Sequence, residues 1–86
     1  MKYVIFKRNT MFCPVIIPEH ITHSQVKLEG CLVHSAGFFY IGGNEPEDIV
    51  TVLPDSSDSL GIGPKTGDKE LLVATLAGFG VYAFME

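Results

Sequence analysis

The apolar residues of this chain come in short runs that turn-forming residues cut apart. The runs at 1–6 (MKYVIF), 12–17 (FCPVII), 38–41 (FFYI) and 48–53 (DIVTVL) are rich in β-branched and aromatic side chains, which is the composition of strands. Between them lie Arg8-Asn9-Thr10, Ala36-Gly37 and Gly42-Gly43-Asn44-Glu45-Pro46, which read as turns. Short strands at this close spacing predict a mainly β protein, a small barrel or sandwich with one or two short helices. With 86 residues, it is expected to be a single domain over 1–86 with a thin core.

Local signals refine this outline. Asn9 suits a positive φ at the first turn, and Pro14 places the second strand at an edge or at a strand start. Pro18 breaks that strand and can open a short helix, which Ile17 and Ile21, four apart, would pin to the sheet. Residues 27–35 (KLEGCLVHS) alternate imperfectly, and Gly30 within them suggests a bulge or sharp bend. Residues 54–67 (PDSSDSLGIGPKTG) look least ordered, with Leu60 and Ile62 as their apolar anchors. Residues 68–77 (DKELLVATLA) read as helix more readily than as strand: Asp68 and Glu70 suit a helix N-terminus, and Leu72, Thr75, Leu76 and Phe79 form a helical stripe. Gly78 and Gly80 can end that helix, and 81–85 (VYAFM) would close the fold as a last strand.

Composition narrows the function classes. A chain that is 47% hydrophobic and 19% charged is too apolar for disorder. Excess apolar surface on so small a body predicts a homo-oligomer. The net charge of −4 is unevenly placed, +2 over residues 1–43 and −6 over residues 44–86. Only the first half has the positive footprint that nucleic acid requires. Cys13 and Cys31 form no CxxC pair, so no zinc cage is expected; free thiols in a reducing cytoplasm are, with a Cys13–Cys31 disulfide as the alternative. The first apolar run is shorter than a secretory leader core and is interrupted by Lys7-Arg8; no stretch approaches the ~20 apolar residues of a membrane span. The segment GIGPKTG (61–67) lacks the GxxxxGK[ST] spacing of a phosphate loop, and no serine stands in a GxSxG context. Neither enzymatic chemistry nor a cofactor is expected.

Three stretches carry a resemblance: PVIIPEHI (14–21), VHSAGF (33–38) and SDSLGI (57–62). They resemble small uncharacterised proteins of cyanophages and marine metagenomes, over most of the chain. Those proteins are similar in fold to the Sm and Sm-like RNA-binding proteins, which implies a small, strongly bent five-stranded β-barrel, a short helix across it, and rings joined through edge strands. The resemblance implies a homo-oligomeric ring, weak binding of RNA or single-stranded DNA, and a place in the cytoplasm of an infected host cell. The chain departs from the Sm pattern in having no Arg-Gly pair before its last strand. It also has Gly63-Pro64-Lys65-Thr66-Gly67-Asp68 where the phage proteins have an Arg-Pro-Glu-Asp type helix start.

The candidate nucleic-acid-binding residues are Lys7, Arg8, His20, His23, Lys27 and Asn44. Lys7 and Arg8 flank a turn near Tyr3 and Phe12, a phosphate-plus-stacking combination that single-strand binders use. The plain alternative is a soluble hairpin tip with guarding charges. His20 and His23 would share one helix face, which Lys27 would extend. As a solvated face they would be the wet side of a strap whose dry side is Ile17 and Ile21; as a ligand site they would meet an anion or nucleic acid. A metal would need Glu19 or His34 as further ligands, and none is expected. Asn44 can stand for the loop asparagine of the Sm site. Phe38 and Tyr40 should lie on the opposite face from Phe39, since strand neighbours alternate. The competing reading is a structural or protein-interaction module, a virion component or a host-protein adaptor, without nucleic acid.

Overall fold

The 1–17 hairpin forms as the turn chemistry requires. In the computed structural model, which describes residues 1–42 and 50–85 and side chains as far as residue 76, strand β1 (Lys2–Arg8) pairs antiparallel with β2 (Met11–Ile17). Asn9 takes φ 56° in the connecting turn, a conformation its short polar side chain tolerates. Counted outward from the Arg8–Met11 pair, Pro14 opposite Ile5 falls at a position whose N–H would face away from β1,. Its missing donor costs the hairpin nothing there and blunts the free edge of β2.

The chain continues through a 3₁₀ turn (His23–Gln25), strand β3 (Leu32–Ile41), strand β4 (Val50–Val52) and helix α1 (Asp68–Met85). The strands form one antiparallel sheet in the order β2-β1-β3-β4. Strand β1 lies inside it, covered on both faces. Tyr3 and Ile5 pack with Phe39, Val50 and Leu72 under α1. Val4 and Phe6 pack with Ile17 and Ala36, beneath Ile21, Val26 and Leu60 of the connecting segments. Burial on both faces is why residues 3–6 are continuously apolar rather than alternating.

The structure corrects several expectations. The expected barrel is an open sheet: among the described residues β2 and β4 are its edges and do not pair with each other. Ala36-Gly37 is not a turn but the middle of β3, a single ten-residue strand. Gly37 faces Tyr3 across the ladder, and a β-carbon on it would come 3.1 Å from the Tyr3 hydroxyl, so the missing side chain makes room for the ring. The strand expected from residue 27 begins at Leu32, and Gly30, with φ +80°, belongs to the turn before it. The bulge lies at His34: Ile5 pairs with Ser35 but Phe6 with Val33.

Residues 54–67 are tied down by a Ser57–Ile62 bridge and by Gly61, which takes φ +67°. Helix α1 passes through Gly78 and Gly80, and 81–85 continue it rather than forming a strand. Once the first turn is fixed, each added residue gains a hydrogen bond, against a cost of about 1 kcal/mol per helical glycine. The expected turn from Gly43 and the start of the strand expected at 48–53 lie outside the described residues.

Candidate functional site

Helix α1 begins on a buried carboxylate. Asp68 accepts hydrogen bonds from the Tyr3 hydroxyl on Oδ2 (2.6 Å), from the Ser35 hydroxyl on Oδ1 (2.8 Å) and from the Lys65 backbone N–H on Oδ2 (3.0 Å). Its own N–H donates to the Lys65 carbonyl. Tyr3, Ser35 and Asp68 are all buried, and the helix N-terminus favours negative charge. Ser35 is spent as a donor and closed to solvent, so the group binds the sheet to the helix rather than presenting a nucleophile. The sequence marked only Asp68, as a helix-start residue, because Ser35 and Tyr3 stand 33 and 65 residues away.

Burial raises the Tyr3 phenol above its ordinary value near 10, and the Asp68 hydrogen bond and charge raise it further,. The folded state therefore keeps this proton at pH values where the unfolded chain releases it. Stability from Tyr3 is complete below about pH 10 and is lost as the pH rises from there toward the folded value. Urea midpoints followed from about pH 8 to about pH 11 should fall more steeply for the wild type than for Tyr3→Phe; equal slopes would show that this phenol is not held.

The expected nucleic-acid residues do not converge. Lys7 shares the helix-side face of β1 with Tyr3 and Ile5, its Nζ 5.5 Å from the centre of the Phe12 ring, which meets the His34 ring edge-to-face with their centres 4.8 Å apart. Arg8 lies on the other face, its guanidinium beside Gly30. Lys27 is exposed on the same side as Arg8. His20 is exposed in the turn that Lys2 holds by donating to the Glu19 and Ile21 carbonyls, about 20 Å along β1 from Arg8. His23 corrects the expectation of a solvated pair: it is buried, with Nε2 2.9 Å from the Gly37 carbonyl oxygen and its ring edge-on to Phe38. The 3₁₀ turn starts at His23 rather than at Pro18, so the two histidines share no helix face. Asn44 lies outside the described residues.

A groove of about 530 Å³ opens on the Arg8 face. Phe6 and Val33 of the sheet form its base, and Val26, Leu28, Cys31 and Leu60 its sides. Lys27 and Glu29 stand on its rim. Cys13 and Cys31 are free thiols. Among the described residues there is no cluster of three or more metal-ligating side chains, and no helix is long and apolar enough to cross a membrane. No protein-family model matches the chain, and comparison with curated proteins and with solved structures gives no match either.

Proposed function

We propose that this chain is a non-enzymatic interaction module that self-associates. The observation that carries the reading is the exposed apolar end of the sheet, where Met11 and Leu32 are 74% and 79% accessible and Phe12 and Leu28 are also exposed. Met1, Tyr40 and Ile41 are exposed at the other end of the sheet, but less so than Met11 and Leu32, and the most exposed large side chains of a small domain mark a contact surface. Two substitutions at exposed sites, Met11→Lys and Leu32→Lys, leave the core intact and place charge on that end. Light scattering across a concentration series is expected to give a mass above the 9.4 kDa of one chain, reduced toward it by the double substitution. A monomer at every concentration sinks the proposal. A virion component or host-protein adaptor is the same surface with a different occupant.

A second reading, binding of RNA or single-stranded DNA, is favoured by the ammonium of Lys7 set over Phe12 beside His34. In its finer form the chain is Sm-like, with copies joined edge to edge in a ring in the host cytoplasm. Edge pairing through β2 would have to pass Pro14, which offers no donor. Fluorescence anisotropy of a short oligouridine at low salt should rise with protein and fall with salt; a flat titration removes this reading.

A further inference from the structure

We infer that the groove face is a two-fold seam between copies, in which Met11 of each chain seats in the groove of the other. The inference rests on the self-association proposed above and names its surface. Met11 pairs with Arg8, and Cys13 with Phe6, so Met11 projects on the face that carries the groove. That face therefore has a knob and a hole. A patch with both is complementary to itself under a two-fold axis, the geometry of an isologous dimer. Methionine is the suitable knob, because its unbranched thioether adapts to an irregular apolar gap.

Charge points to a second copy rather than a foreign partner. The rim carries both signs, Lys27 and Glu29, with Arg8 beside Gly30. Under a two-fold axis at the groove mouth, Glu29 of each chain can be set against Lys27 or Arg8 of the other. A strongly acidic or strongly basic partner would face one repelling group at the groove mouth. The free edge of β2, blunted by Pro14, is not needed for this contact.

The test uses the full chain. Met11→Cys in a Cys13→Ser background leaves one thiol on the knob and one, Cys31, in the groove. Mild oxidation is expected to give a covalent dimer on a non-reducing gel, and peptide mapping to join position 11 of one chain to Cys31 of the other. In parallel, Lys27→Glu should lower the mass toward the monomer, and Lys27→Glu with Glu29→Lys should restore it. Circular dichroism confirms that each variant folds. An oligomer that persists with no 11-to-31 link and no rescue overturns the seam while leaving self-association standing. A monomer at all concentrations overturns both.

Discussion

Replacing Asp68 by alanine is expected to lower stability by about 2–6 kcal/mol, because buried neutral donors lose the acceptor they share. The carboxylate is the shared acceptor of the Tyr3 and Ser35 hydroxyls and the Lys65 N–H. Without it two buried hydroxyls lose their partner, at about 1–3 kcal/mol for each unsatisfied group. Small domains hold roughly 5 kcal/mol or a little more in total, so the variant should be largely unfolded at warm temperature. Urea unfolding at neutral pH, followed by circular dichroism, measures the loss. Tyr3→Phe alone should cost less, and should cost less still in the Asp68→Ala background, because the two residues act through one hydrogen bond. A loss below about 1 kcal/mol for Asp68→Ala would mean that water takes over the three donors and that the helix is held by apolar contact alone.

Phe39→Ala is expected to cost about 3–5 kcal/mol, the range for a large aromatic removed from a core. Phe39 is buried between the sheet and α1, its ring meeting Tyr3 edge-to-face at 6.0 Å, with Val50 and Leu72 in the same cluster. A two-layer contact this thin has few neighbours to collapse into the space. Its neighbour Tyr40 is half-exposed, and Tyr40→Ala should stay within about 0.5 kcal/mol. Comparable losses at both positions, measured by the same urea unfolding, would mean that the strand does not present alternate faces as described.

This contrast between adjacent aromatics was legible in the sequence, because alternation is a property of any extended strand. So was the first hairpin, where Asn9 and Pro14 each impose a backbone constraint on themselves, and so was the helix start at Asp68. The expected binding set was not. Lys7 and Arg8 are neighbours in the chain and fall on opposite faces of the sheet for the same reason that Phe39 and Tyr40 do. His23 reads as polar but is buried because the chain after Pro18 turns back over β3 and brings the ring to the Gly37 carbonyl.

Ala36-Gly37 shows the limit most clearly. Small residues read as a turn, yet the absent side chain of Gly37 is what admits the Tyr3 ring on the neighbouring strand. By itself, then, the sequence determined the strand-rich class, the 1–17 hairpin, the sidedness of 38–40 and the start of α1, all set by interactions within a few residues. Only the tertiary structure decided that β3 runs unbroken, that His23 goes inside, that the sheet stays open, and that Tyr3 and Ser35 meet at Asp68. Each of those outcomes depends on a partner at least fourteen residues distant, and no local preference encodes which distant partner a residue will find.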